Sequence, residues 1–227
     1  MPVQREMYDD SKIPVVKTRM KKINFVFYFF MGFTVSLNGQ TKPDALAEYR
    51  AGKYGEAEAI CRSEIAADGQ NIEAYVVLCW SLLKLGRFGE ARPFAETALS
   101  INPYDVRLIE IMGEISYFQG RNNAALKYFQ EYISLAPEGQ RIDAAYYYIG
   151  EIYIRLGRFR YADIALSTAL HYLPGNALWH SRLAYARENS GELADAAAAY
   201  EKALSLDPQL ADARRGLDRV YAALGSR

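Results

Sequence analysis

From about residue 43 onward, apolar residues recur with helical spacing, and the runs break at regular places. The stretch "LKLGRFGEARPFAETALSINP" (83–103) ends one apolar run, turns at a glycine and starts a second. Further along, "IRLGRFRYADIALSTALHYLP" (154–174) repeats nearly the same pattern. Aligning the loop glycines gives Gly52, Gly86, Gly120, Gly157, Gly191 and Gly225, at intervals of 34, 34, 37, 34 and 34. A sustained period of this length is that of stacked helix–turn–helix units. The one long interval places its three extra residues around "PEGQRI" (137–142), a loop, where lengthening costs little.

Other positions repeat in the same frame. Five residues after the first five glycines stand Ala57, Ala91, Ala125, Ala162 and Ala196. Twelve after stand Ala98, Ala169 and Ala203, with Glu64 and Tyr132 as departures. Seventeen after stand Pro103, Pro137, Pro174 and Pro208, with Gly69 in the first unit. Seven before stand the small residues Ala45, Cys79, Gly113, Gly150 and Ala184, and eight before stand Leu78, Met112, Ile149 and Leu183. Small side chains let antiparallel helices approach while large neighbours fill the space beside them. Glycine permits the left-handed turn that ends the first helix, and proline marks the end of the second.

These residues closely resemble the tetratricopeptide repeat family over about residues 43–225. The resemblance implies an all-α superhelical solenoid of about five helix–turn–helix repeats plus a C-terminal capping helix. The units fall at about 38–71, 72–105, 106–139, 143–176 and 177–210, with the cap at 211–227, inside a domain spanning 40–227. The first unit opens with a short helix beginning at Pro43, and its Glu64 and Gly69 fit a degenerate terminal repeat. Pro93 is expected near the start of its helix, where a missing N–H costs least. "DARRGLDRVYAAL" (212–224) pairs an apolar stripe with Arg and Asp, as a solubilising cap does.

The N-terminus reads differently. "KTRMKK" is followed by the mostly apolar "INFVFYFFMGFTVSL" (23–37) and the polar "NGQTKP". This is the pattern of an export signal, with residues 1–39 as leader and signal peptide and either Met1 or Met20 as the start. The 15 residues fall short of the ~20 that span a bilayer as a helix, and the cleavage-site rule is poorly met because Leu37 lies three residues before the best cut. Cleavage is the leading reading. A short uncleaved anchor at 23–37 and a buried helix are the alternatives, and membrane contact is expected through this segment alone. The expected location is the periplasm or cell envelope.

Composition narrows the chemistry. The 27 basic and 27 acidic residues of the 227-residue chain balance, so a nucleic-acid partner is not expected. Two Cys and two His are too few for a zinc site, and neither His171 nor His180 has a ligand at metal spacing. The glycine-rich phosphate loop is missing, since "GKY" at 52 lacks the earlier Gly and the following Ser or Thr. No nucleophile constellation is present, so neither catalysis nor a cofactor is expected. Cys61 and Cys79 are predicted at about the same height on neighbouring antiparallel helices. In an oxidising compartment they could form a disulfide contributing roughly 3 kcal/mol. The preferred alternative is two free thiols filling small-residue slots.

What remains is binding. In the family, groove-facing residues fall thirteen, ten, six and three positions before the loop glycine. Carried over, that frame gives Trp80, Glu110, Glu114, Tyr117, Tyr147, Glu151 and Tyr185 as partner-binding residues. Leu46 and Tyr49 extend the surface at one end, and Arg215 and Arg219 turn it basic at the other. Aromatics are frequent binding anchors, and the three carboxylates favour a partner carrying Lys or Arg. The alternative for each aromatic is packing between units. The family's clamp for chaperone tails needs Lys, Asn, Asn, Lys and Arg, whereas this chain offers Lys42, Leu46, Val77, Arg107 and Ile111, so that activity is not expected. The function expected is non-catalytic binding of a protein or peptide segment in the concave groove by an exported adaptor or assembly factor. The alternatives are a structural subunit of an envelope complex joined through its convex face, and a carrier of a small ligand.

Overall fold

The computed structural model describes residues 44–225, which form eleven α-helices and no strand. The segment read as leader and signal, and Pro43, lie outside the described residues. The first helices of the units are α1 (Ala45–Arg50), α3 (Ile72–Lys84), α5 (Val106–Phe118), α7 (Ile142–Arg155) and α9 (Ala177–Ser190). The second helices are α2 (Tyr54–Ala67), α4 (Phe88–Ile101), α6 (Asn122–Leu135), α8 (Phe159–Tyr172) and α10 (Leu193–Leu206), and α11 (Ala211–Gly225) closes the stack. The fold is the all-α tetratricopeptide-type solenoid.

The turn between paired helices is the same device five times. Gly52, Gly86, Gly120, Gly157 and Gly191 have φ between 69° and 88°, a region that side-chain-bearing residues rarely enter. The residue after each glycine then donates its N–H to a carbonyl five residues back, as Arg87 does to Leu82 at 2.8 Å and Arg158 to Tyr153 at 2.8 Å. These bonds satisfy carbonyls that the first helix leaves open. Gly225 differs, being the last residue of α11.

Units are joined by side-chain caps. Asp44, Asn71, Asp105 and Asn176 each accept backbone N–H bonds at the start of α1, α3, α5 and α9. The exception is α7, where the long interval puts Arg141 at the cap position with no side-chain cap. Pro93 is the sixth residue of α4, further in than expected from the sequence, so its ring removes an interior bond to the Gly89 carbonyl.

The repeated small residues are the core. Ala57, Ala91, Ala125, Ala162 and Ala196 are all fully buried, as are Ala98, Ala169 and Ala203. At Gly113 and Gly150 a β-carbon would lie 2.6 Å from the Phe129 ring and the Leu166 side chain, so these glycines are spaces for the facing helix. The cap works alike: Ala213, Gly216 and Val220 are buried, with the Tyr200 ring against Gly216. Curvature follows from which helices touch. The backbone of each odd-numbered helix from α1 to α11 comes close to that of the next odd one, whereas no two even-numbered helices approach this way; α2 meets α4 through a long side chain, Arg62, which pairs with Glu90 at 3.7 Å. The odd helices therefore crowd together on the inner surface, and the even ones splay on the outer.

Candidate functional site: the concave face

Two groups of residues face the inner surface. The first surrounds a concave pocket of about 410 Å³ bounded by α1, α3, α5, α6 and the loop before α7. Trp80, Glu110 and Glu114 line it, with Tyr49, Leu83, Lys84, Val106, Arg107, Tyr132, Gly139, Gln140 and Arg141. Trp80 is half-buried, and its ring lies 5.8 Å from that of Tyr49. Glu110 is only 3% exposed. Its Oε1 accepts from Arg141 Nε at 3.1 Å and Nη2 at 3.0 Å, and the same Nη2 donates to Glu114 Oε1. Burial first, then the Glu114 charge, push the Glu110 carboxyl well above the usual carboxylate range, against the pull of Arg141.

The second group centres on Arg182. Glu151 accepts a bidentate pair from Arg182 Nε at 2.6 Å and Nη2 at 2.8 Å. The Arg182 guanidinium also lies 5.4 Å from the Tyr185 ring. Tyr147 stacks on the buried Trp179 at 4.9 Å, and Tyr117 packs on Tyr148 at 4.8 Å with the Arg155 guanidinium 4.4 Å over its ring. Burial, with Glu151 as the next cause, raises the pKa of both the Tyr117 and Tyr147 phenols. The four called aromatics are thus half-buried, each with one side packed on a neighbour. The structure gathers Trp80, Glu110 and Glu114 at one end, and Tyr117, Tyr147, Glu151 and Tyr185 toward the other.

Sequence reasoning named Arg107 and Arg219 but missed Arg141 and Arg182, and it missed that all four are paired. Glu110–Arg141, Glu151–Arg182 and Glu188–Arg219 all pair across adjoining units at a separation of 31 residues. Arg107 adds a pair to Glu73, at 2.8 Å through each oxygen, across a separation of 34. The signal was a recurring Glu with an Arg 31 residues later. The long interval keeps that spacing by delivering Arg141 from the loop instead of a helix, and Arg141 N also donates to Tyr132 Oη at 3.1 Å. The acidic floor read from the sequence is consequently threaded with guanidinium groups. The basic end is likewise paired, Arg219 with Glu188 and Arg215 with Asp212.

Cys61 and Cys79 are buried free thiols in this structure, and Cys79 Sγ donates to the Ala91 carbonyl at 3.7 Å. His180 Nε2 contacts the Pro174 carbonyl at 2.9 Å, a bond that holds the turn between α8 and α9.

Five helical hairpins sharing a curved inner face define a repeat scaffold of the kind that presents extended surface to other molecules. The chain belongs to the tetratricopeptide repeat family: family models match residues 45–106, 106–138 and 177–210, together more than half of it. The fourth unit, with the lengthened loop before it, lies between those spans. Anaphase-promoting complex subunit 7 of Arabidopsis thaliana is 26% identical over 172 residues, 74% of this chain but 30% of the relative. Among solved structures, the Cut9–Hcn1 hetero-tetramer matches with a TM-score of 0.69 at 20% identity, over 78% of this chain and 34% of that one. PilW, a type IV pilus biogenesis factor, matches with a TM-score of 0.69 at 23% identity, over 80% of this chain and 83% of PilW. The chain thus spans about a third of the plant protein and of the Cut9–Hcn1 chain it matches.

Proposed function

We propose that this protein is an exported, non-catalytic adaptor or assembly factor that holds a segment of a partner protein along its concave face. The observation that carries this reading is the succession of half-buried aromatics Trp80, Tyr117, Tyr147 and Tyr185 on the inner helices. Each is anchored on one side by a neighbouring ring or guanidinium. A ring held this way loses little freedom on binding, which is what an interface anchor requires. The export-signal pattern before residue 40 supports an envelope location, and so does the likeness to a pilus biogenesis factor. Among the described residues no helix is long and apolar enough to cross a membrane, which leaves the N-terminal segment as the proposed link.

The test is affinity capture from cells with the wild-type chain and with Trp80→Ala and Tyr147→Ala. Loss of the same partner from both variants, with unchanged helicity, supports the groove. Retention of every partner by both variants overturns it.

A second reading has its own observation. On the outer helix α8, Tyr161, Ile164 and Tyr172 are 59%, 66% and 47% exposed, more than core packing explains. A structural subunit would join its complex there, and Ile164→Asp would abolish capture while Trp80→Ala would not.

A further inference from the structure

The pocket at the first end of the groove has a charge balance unlike the other end. At Arg182–Glu151 and Arg219–Glu188, one guanidinium serves one carboxylate. Around the pocket, one guanidinium serves two: Arg141 holds Glu110 and Glu114, and Arg107 holds Glu73 and Asp105. The start of α5 takes up part of the Asp105 charge through backbone N–H bonds. Lys84, on the exposed rim, supplies one further positive charge. With every group ionised, the pocket lining carries Arg107, Arg141 and Lys84 against Glu110 and Glu114, but Arg107 is engaged by Glu73 and Asp105 outside the lining, which leaves the Glu110–Glu114 pair with Arg141 as its one hydrogen-bonded cation. Over this pair lies an aromatic wall, the Tyr49 and Trp80 rings, continued by Leu83 and Val106.

Resting on the groove reading above, we propose that this pocket receives one lysine or arginine side chain of the partner segment. Its cationic head sits by the Glu110 and Glu114 carboxylates, and its methylene stem lies against Tyr49 and Trp80. Only Oε1 of each carboxylate is engaged by Arg141, and the Glu110–Glu114 hydrogen bond opens when its proton leaves, so acceptor capacity is then available to the entering cation. A cation beside aromatic faces gains from the ring quadrupoles as well as from the carboxylates.

Until a cation arrives, a proton takes its place. The groups facing Glu110 are Glu114 on its own helix, Arg141 from the loop, Tyr49 on α1, Tyr132 on α6 and Tyr148 on α7, with Asp143 beyond Tyr132. Arg107 and Lys84 line the same pocket, but Arg107 is engaged by Glu73 and Asp105 and Arg141 alone hydrogen-bonds the pair, so burial and Glu114 together favour the protonated Glu110 carboxyl. An entering cation lowers the pKa of the Glu110 carboxyl, and its proton leaves to solvent. Binding is therefore tighter at higher pH, by about tenfold per unit where one proton is released per cation bound.

The experiment follows the indole N–H resonance of Trp80 in the full ¹⁵N-labelled chain, assigned with Trp80→Phe. The probes are N-acetyl-arginine amide, its neutral isostere N-acetyl-citrulline amide, and N-acetyl-norleucine amide. The expected result is a saturable shift with the arginine probe at pH 8. It should be about tenfold weaker with citrulline, weaker at pH 6.5, and absent in Glu114→Gln with unchanged helicity. Calorimetry in two buffers of different ionisation enthalpy should register proton release. Equal response to arginine and norleucine, or no saturable shift with arginine at pH 8, overturns the proposal. Partner capture dependent on Trp80 and Tyr147 would survive that failure, so the two readings are separable.

Discussion

Replacing Gly113 by alanine tests whether the small residues of the repeat are spaces cut for particular side chains. A β-carbon there would lie 2.6, 2.8 and 2.9 Å from Cε1, Cδ1 and Cζ of Phe129, where ordinary contact is 3.4–4 Å. Phe129 is fully buried and stacks on Tyr148 at 5.3 Å with an interplanar angle of 8°, so the ring cannot withdraw without disturbing its neighbour. Overpacking of this kind costs about 1–3 kcal/mol, and replacing a helical glycine by alanine returns up to about 1 kcal/mol. The net expectation is a loss of about 1–2 kcal/mol. The matched control is Gly89→Ala in α4, where a β-carbon meets nothing within 4 Å. That change should be neutral or stabilising by up to about 1 kcal/mol. Unit five shows why the sign depends on the neighbour: Ala184 is accommodated at the same frame position because the Tyr200 ring leans toward Gly216. The assay is urea unfolding followed at 222 nm for both variants. Gly113→Ala at or above wild-type stability would refute the packing argument.

Further outcomes follow from the charges and the thiols. Arg182→Met should cost about 2–3 kcal/mol by leaving the nearly buried Glu151 unpaired, and a double-mutant cycle with Glu151→Gln should recover much of that loss; additive effects would show that the pair is uncoupled. Glu188 is pushed up by burial but brought below its ordinary 4.5 by hydrogen bonds from Arg219 and Tyr200. The stability it contributes is therefore present above pH 4.5 and lost as pH falls through the lowered folded value. Arg219→Gln should show a deficit of about 0.5–1 kcal/mol at pH 7, discounted for its exposure, that closes on acidification; a deficit independent of pH would contradict this. Burial pushes the Cys61 and Cys79 thiols up to about 12. Neither should react with a thiol-specific disulfide reagent at pH 8 until the chain is unfolded, and rapid native-state labelling would contradict their placement.

The architecture was legible because the repeat writes packing directly into residue types. The alanines at 57, 91, 125, 162 and 196 recur because each is fully buried between helices, and the first five loop glycines recur because each has positive φ. The groove frame grouped residues that share one helical face, since that face repeats with the unit. It could not give what the side chains on that face touch. Glu151 and Arg182 occupy different positions of their own units and meet only because adjoining units are staggered, an offset set by packing and not by the repeat length. Arg141 was harder to foresee, because it reaches Glu110 from a lengthened loop outside the repeating frame. Tyr147 read as an anchor with packing as the alternative; its ring is stacked on Trp179 on one side and half-buried overall, an arrangement spacing cannot specify.

The central claim, that the concave face holds a partner, is tested most directly by in-cell photo-crosslinking from a probe replacing Tyr147, beside one replacing Ile164 on the outer helix α8. Mass spectrometry would identify the adducts and read the mature N-terminus. The account predicts one dominant protein adduct from position 147, little from 164, and an N-terminus at or near residue 40. Adducts from position 164 with none from 147 would contradict it, moving the interaction to the convex surface and leaving the inner aromatics as packing.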